Sequence, residues 1–149
     1  MTETMLAELC RRMGGRSVPS PDSFGGYALP LSDGFTPVIT PGRDGVGFAG
    51  EILELPTAEQ DREALCRELL TLSLGRTGQE CEGYLPHITA EGNKLILRQM
   101  CGAFLAVDDL EAALERFVNL MEKWRSLALR EKGRQSFRSG GSLQGIIIP

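Results

Sequence analysis

The sequence predicts an α+β fold, in which an antiparallel β-sheet is flanked by three helices in the order α-β-β-β-α-β-β-α. Helical periodicity of apolar residues is confined to three segments, near the start, the middle and the end of the chain. Short stretches rich in β-branched and aromatic residues lie between them. Turns that combine Gly with Asp or Asn, at residues 32–34, 41–45 and 90–93, separate these stretches. Such short turns join antiparallel neighbours, because a parallel pair needs a longer crossover.

The first helix is predicted over Thr2 to Met13. Its apolar residues recur at helical spacing, and the basic residues of its last turn suit the helix dipole. Gly14 and Gly15 are expected to end it.

Three strands are predicted next, over Tyr27–Leu31, Thr36–Thr40 and Val46–Leu55. Pro30 and Pro37 lack the main-chain N–H that a central strand donates. The first two strands are therefore expected to lie at a sheet edge or to start late.

The second helix is expected to follow Pro56, with Thr57 as its N-cap and Gln60 in the capping-box position, and to run to Leu74. Its second half carries more apolar side chains than one core-facing stripe needs. Such a helix either lies between two layers or buries a face in another subunit.

The next two strands, Gly83–Thr89 and Lys94–Met100, are predicted to form a hairpin. In the second of them, leucines at 95 and 97 point to one side of the sheet, and residues 96, 98 and 100 point to the other. This alternation indicates a strand that is only partly buried.

The third helix is the clearest element of the sequence. Asp108 is predicted to cap it, with Glu111 three positions later. Apolar side chains form one continuous face as far as Ala128, and the helix is expected to end near Arg130. Residues 1–130 are thus predicted as one domain, and residues 131–149 as a flexible tail. The tail ends in three isoleucines and a proline.

Composition narrows the class of function. The chain has 149 residues and a formal net charge of −4, so it fits one domain and is not expected to bind nucleic acid. No apolar run approaches the ~20 residues that cross a bilayer, and the N-terminus lacks the pattern of a secretory signal. We therefore expect a cytoplasmic protein without membrane insertion. The four cysteines and single histidine lack zinc spacing, so reduced thiols and no metal or cofactor are expected.

Motifs for catalysis are largely missing. The glycines of residues 45–50 match G-x-G-x-x-G, but a strand follows them where the dinucleotide fingerprint needs a helix. The phosphate-cradling loop of NTPases and the G-x-S-x-G of serine hydrolases are absent from the sequence. His87, which follows Pro86 in a predicted strand, has no marked catalytic partner. The sequence therefore favours a binding protein over an enzyme.

Four stretches, taken together, resemble one known family: Met5–Gly14, Phe48–Pro56, Leu65–Leu74, and Lys94–Met100 followed by Leu110–Trp124. With the length, the acidity and the element order, they make the chain similar to the class I chaperones of type III secretion, the Tir-chaperone-like family, over roughly residues 1–130. The resemblance implies a homodimer in the bacterial cytosol. It also implies ATP-independent binding of the N-terminal segment of a secreted effector, which is kept competent for secretion.

The resemblance also implies site residues. The family dimerises through the second helix, which maps onto Leu65, Leu69, Leu70 and Leu72. The effector-binding surface of the family uses the first helix and the sheet, which maps onto Leu6, Leu9, Met13, Leu29, Val38 and Phe48. The first-helix residues and Phe48 are also compatible with a purely structural place in the core.

Two other functions stay open at this point. A regulatory or scaffolding protein of the same fold would bind a folded partner instead of an extended one. A small enzyme or ligand-binding domain would have a deep pocket with convergent polar groups near His87 or Cys81.

Overall fold

A computed structural model gives the fold for residues 1–15, 17–31, 34–75 and 85–147, with side chains left undescribed at 73–75 and 135–147. Cys81, two residues of the turn predicted at 32–34 and the first two residues of the predicted fourth strand lie outside these ranges. The predicted fold class and element order are confirmed. The elements in chain order are α1 Glu3–Arg12, β1 Tyr27–Ala28, β2 Val38–Pro41, β3 Val46–Glu54, α2 Glu59–Gly75, β4 His87–Glu91, β5 Lys94–Cys101 and α3 Val107–Ile147.

The five strands form one antiparallel sheet in the order β1-β2-β3-β5-β4. β1, which precedes Pro30, lies at one edge, and β2 begins at Val38, directly after Pro37. The expectation drawn from the two prolines is thus confirmed. A register shift between Glu51 and Leu53 bends β3 where it pairs with β5.

One face of the sheet packs against α3. The rings of Phe48 on β3 and Phe117 on α3 lie 5.5 Å apart between centroids. A Cβ on Gly50 would lie 2.3 Å from the Sδ atom of Met121, so the absence of a side chain on β3 allows the helix to approach this closely. α1 and α2 pack in turn against α3.

The opposite face of the sheet is half-exposed. Alternate residues of β5 are buried from Leu95 onward, and the residues between them are half-buried or exposed. The partial burial predicted for this strand is therefore confirmed, and the core lies on the α3 side.

Two helices begin differently from the prediction. α2 begins at Glu59, because the carbonyl of Ala58, not that of Thr57, accepts the first helical bond, from the N–H of Arg62 at 3.0 Å. Acidic residues in its first turn suit the positive end of the helix dipole. α3 begins at Val107, so Asp108 lies inside its first turn and is not its cap.

The third helix also ends later than expected, at Ile147 instead of near Arg130. Proline does not occur in this stretch before Pro149, and each glycine weakens a helix by only about 1 kcal/mol without breaking it. Lys132 donates to the carbonyl of Glu54 at 3.0 Å, which holds the helix against the domain beyond residue 130. The division into a domain of residues 1–130 and a flexible tail stays a prediction.

The hairpin between β4 and β5 turns on two residues, Gly92 and Asn93, one position later than predicted. Gly92 has a φ of 62°, the left-handed conformation that two-residue hairpins require. The N–H of Leu55 donates to the carbonyl of Asn93 at 2.6 Å, and the guanidinium of Arg62 donates to that of Gly92. The hairpin tip is thereby fixed to the connection between β3 and α2.

Candidate partner-binding surface

An open groove lies where the end of α1, the loop after β1 and the middle of α3 meet. Its volume is about 420 Å³, and its lining combines an apolar floor with a polar rim: Arg12, Met13, Leu31, Leu114, Glu115, Val118 and Asn119. The floor is built from α3, where Leu114 and Val118 are buried. Met13 and Leu31 are half-buried and form the walls. The accessible lining is polar and apolar in equal parts, which suits a partner segment that carries both kinds of side chain.

Arg12 fixes the rim of this groove. Its guanidinium lies 2.5 Å from Asp108, 2.7 Å from Glu111 and 3.2 Å from Glu8. Hydrogen bonds to Glu111, then to Asp108 and Glu8, raise the pKa of Arg12 above its ordinary value. The guanidinium therefore stays charged and holds the end of α1 on the first turn of α3.

Glu8 is the matching anion on α1. Hydrogen bonds from Arg11 and then Arg12 lower its pKa from 4.5 to about 2. The carboxylate thus stays ionised at any pH near neutral, and it accepts hydrogen bonds from both arginines.

The edge strand β1 runs beside the groove. The N–H of Leu29 donates to the carbonyl of Pro37 at 2.9 Å, and that of Leu31 donates to the carbonyl of Phe35 at 2.8 Å. Since main-chain groups alternate in direction along a strand, Ala28 turns its N–H and carbonyl outward. Pro30, the next residue to face outward, has no N–H to offer. The edge thus offers a short stretch of main chain for pairing.

Solved structures share this architecture. A chain in the structure of the HopA1–SchA chaperone–effector complex matches with a TM-score of 0.55 and 17% identity, over 83% of this chain and 92% of that one. A chain in the ExsC–ExsE complex matches with a TM-score of 0.55 and 19% identity, over 84% and 91%. A chain in the complex of the Yersinia pestis type III secretion chaperone SycH with a stable fragment of YscM2 has a TM-score of 0.49 and 10% identity, over 83% and 97%. No protein-family model and no curated protein matches the sequence.

The chain shares the fold of chains in the HopA1–SchA and ExsC–ExsE complexes. In this fold the residues predicted to bind the partner divide between the core and the surface. Four of the six are buried in the protomer: Leu6, Leu9, Leu29 and Phe48. Met13 lines the groove, and Val38 is half-buried on the opposite face of the sheet. The assignment of all six to partner binding stays a prediction. The four buried residues belong to the core that lies beneath the candidate partner-binding surface.

The predicted dimer residues divide in the same way. Leu65 and Leu69 are buried within the protomer, Leu70 is 58% exposed, and Leu72 is partly buried. Of the wide apolar surface predicted for α2, part thus belongs to the core of the chain, and Leu70 faces outward. A role in dimerisation stays a prediction for all four.

The groove itself was not predicted from the sequence. Leu114 belongs to the apolar face predicted for the third helix, but nothing in the sequence marked it, Val118 or Leu31 as a groove residue. Arg12 was interpreted only as a base that suits the dipole of its own helix. The groove exists because α1 and α3 pack together, and no local pattern reports that contact.

Other kinds of site find no support within the described ranges. The glycines of residues 45–50 belong to a turn and to β3, not to a phosphate loop. In the part of the chain that the structure describes, no three His, Cys, Asp or Glu side chains are placed to hold a metal ion. Among the same residues, no helix is long and apolar enough to cross a bilayer.

Proposed function

We propose that this protein is a type III secretion chaperone that binds the N-terminal segment of a secreted effector in the bacterial cytosol. It acts as a homodimer, without ATP, and keeps the segment competent for secretion. The observation that carries the proposal is the groove beside an exposed edge strand, in a fold shared with a chain of a chaperone–effector complex.

The geometry suits an extended guest. A segment added to β1 pairs with the outward main-chain groups of Ala28, which provides affinity independent of sequence. Alternate side chains of a strand point to the same face, so every second guest side chain lies on the side of Leu29 and Leu31. This is the side of α3 and the groove, where the half-buried Met13 and Leu31 offer apolar contact to a guest side chain.

The same features favour binding over catalysis. Main-chain pairing and burial of apolar side chains hold a segment reversibly, and neither step consumes a nucleotide. The protein is therefore proposed as a binding protein and not an enzyme.

The homodimer is proposed through α2. Leu65 and Leu69 anchor the helix in its own protomer, and Leu70 offers an exposed apolar side chain on the other side. An exposed leucine on a helix that already buries one face in its own core gives a second subunit an apolar side chain to cover.

The test is capture of the client by groove variants in the native bacterium. Tagged wild-type protein, Leu31→Glu and Leu129→Glu would be recovered with bound proteins, followed by limited proteolysis and mass spectrometry. Leu129 is 53% exposed on α3 and lies away from the groove, so it is the matched control. Wild type and Leu129→Glu should recover a larger secreted protein that is protected near its N-terminus, and Leu31→Glu should lose it.

Two results would contradict the proposal. Recovery of cytosolic regulators alone, or of a partner protected as a folded domain, would favour a scaffolding protein. Equal capture by Leu31→Glu and wild type would place the client elsewhere than in the groove.

A further inference from the structure

We propose that Glu115 is a specificity-determining residue of the groove, which selects a client segment that carries a basic side chain two positions from an apolar one. The carboxylate of Glu115 pairs with the basic head group, and the apolar walls of the groove, Met13 and Leu31, cover the rest of the two side chains. The inference rests on the proposed function, because it names the chemistry of the segment that the same groove receives.

Glu115 is the unpaired charge of the groove. Of the described residues that line the groove, two are charged, Arg12 and Glu115. Arg12 is already paired with three carboxylates, those of Glu8, Asp108 and Glu111. Glu115 is exposed, and within the part of the chain that the structure describes no lysine or arginine pairs with it. A carboxylate that borders an apolar wall without a cation of its own offers a guest a charge-assisted hydrogen bond.

The charge around the groove is negative. Arg11 and Arg12 face three carboxylates in the cluster at its rim, so this cluster carries one net negative charge. Glu115 adds a second, and Arg116, which follows it in the sequence, does not line the groove. At the salt concentration of a cell, charges act over about 8 Å, a distance comparable to the width of a groove of about 420 Å³. The groove therefore attracts a basic guest and disfavours an acidic one.

The same helix already holds a cation one turn earlier. Glu111 lies one turn before Glu115 on α3, and its carboxylate lies 2.7 Å from the guanidinium of Arg12. The side chain of Arg12 reaches this carboxylate from α1 and is only 31% exposed. A guest cation at Glu115 repeats this contact one turn farther along the helix, from the open side of the groove.

The lining suits a long basic side chain better than a purely apolar one, because it is polar and apolar in equal parts. Lys and Arg have an aliphatic stem that packs on apolar surface and a head group that stays in a polar environment. Asn119 lies one turn after Glu115 on α3, so a planar guanidinium can donate to both side chains. An arginine thus uses the apolar wall at Met13, the carboxylate and the amide together.

Strand geometry sets the distance to the apolar side chain of the guest. In an extended segment, side chains two positions apart point to the same side and are about 6.7 Å apart. Leu31 forms the other wall of the groove and is half-buried. A guest with an apolar side chain two positions from its arginine therefore contacts Leu31 and Glu115 at the same time.

The experiment uses the full chain and three defined peptides. Each is a blocked extended peptide of about seven residues, Thr-Val-Thr-X-Thr-Val-Thr, in which X is arginine, citrulline or glutamate. Citrulline has the shape of arginine without its charge. Methyl NMR of the wild-type protein should show shifts at Met13 and Leu31 with the arginine peptide. This peptide should bind about threefold more tightly than the citrulline peptide, as is typical of a partly exposed ion pair, and the glutamate peptide should bind most weakly.

Variants of the protein provide the second readout. Glu115→Gln should bind the arginine and citrulline peptides equally, and Glu115→Lys should prefer the glutamate peptide. Glu122→Gln is the matched control, since Glu122 is exposed on the same helix about 10.5 Å farther along its axis and does not line the groove. It should keep the preference of the wild type for arginine over citrulline.

Four results would overturn the inference. Equal binding of the arginine and citrulline peptides to the wild type would mean that charge is not read. A preference for arginine that survives in Glu115→Gln would assign the cation to another carboxylate. An equal loss of preference in Glu122→Gln would indicate net charge instead of a specific contact. Absence of shifts at Met13 and Leu31 with the arginine peptide would place its binding elsewhere. Client capture, tested with Leu31→Glu, is scored separately, so the proposed function can stand when this inference fails.

Discussion

The guanidinium of Arg12, in the last turn of α1, lies 2.5 Å from a carboxylate oxygen of Asp108 in the first turn of α3. The two residues are 96 positions apart in the sequence. Arg12 also contacts Glu111 on α3 and Glu8 on its own helix. This cluster holds α1 in place and thereby sets the width of the groove.

Arg12→Ala should destabilise the protein, because it removes the contacts that join α1 to α3. The pairs are partly exposed and screened by water, so we expect a small but measurable loss in the free energy of unfolding. Arg11→Ala is the matched control, since in the described part of the chain Arg11 pairs only with Glu8 of its own helix, and its side chain is 73% exposed. Urea unfolding at neutral pH would measure both. An equal loss for the two variants would contradict a role for Arg12 in holding α1.

Glu8 should make stability depend on pH at the acid end. Its pKa is lowered in the folded protein from 4.5 to about 2, so its contribution is fully present above pH 4.5 and is lost as the pH falls toward 2. The difference in stability between wild type and Glu8→Gln should therefore shrink over that window, as measured by urea midpoints at pH 7, 4 and 3. In an Arg11→Ala/Arg12→Ala background the difference should be small at every pH. A difference that stays constant from pH 7 to pH 3 in the wild-type background would be the opposite result.

Gly50→Ala should destabilise the core. The added Cβ would lie 2.3 Å from Met121, and overpacking of this kind typically costs 1–3 kcal/mol, so we expect about 2 kcal/mol. A second change, Met121→Ala, should make Gly50→Ala less harmful, because it removes the atoms that clash. Gly133→Ala is the control in α3, where nothing lies within 4 Å and a gain of about 0.5–1 kcal/mol is expected. Thermal melting of wild type, the three single variants and the double variant would show both signs.

Leu70→Glu should give a folded monomer if α2 forms the proposed dimer. The side chain is 58% exposed, so a charge there leaves the protomer intact but opposes burial in a second subunit. Leu69→Glu, at a buried position, should instead unfold the protomer. Light scattering with circular dichroism separates these outcomes. A folded Leu70→Glu dimer of unchanged mass would exclude this side of α2 as the interface.

Much of the fold was predictable because local chemistry controls it. Pro30 and Pro37 cannot donate to a sheet ladder, which predicted that the first two strands lie at an edge or start late, and β1 lies at an edge while β2 begins after Pro37. The boundaries of helices were less predictable. The continuation of α3 beyond Arg130 is accompanied by the contact of Lys132 with Glu54, which joins residues far apart in the chain.

The sequence by itself determined the class of fold, the order of the elements and which strand faces are apolar, since each follows from periodicity and turn chemistry within a few residues. The tertiary structure alone decided which of those apolar residues are accessible. Leu69 and Leu70 are neighbours in the sequence and equally apolar, yet one is buried and the other is exposed. Exposure depends on which helix packs beside which, and the groove at Leu31, Leu114 and Val118 exists only because three segments distant in sequence meet there.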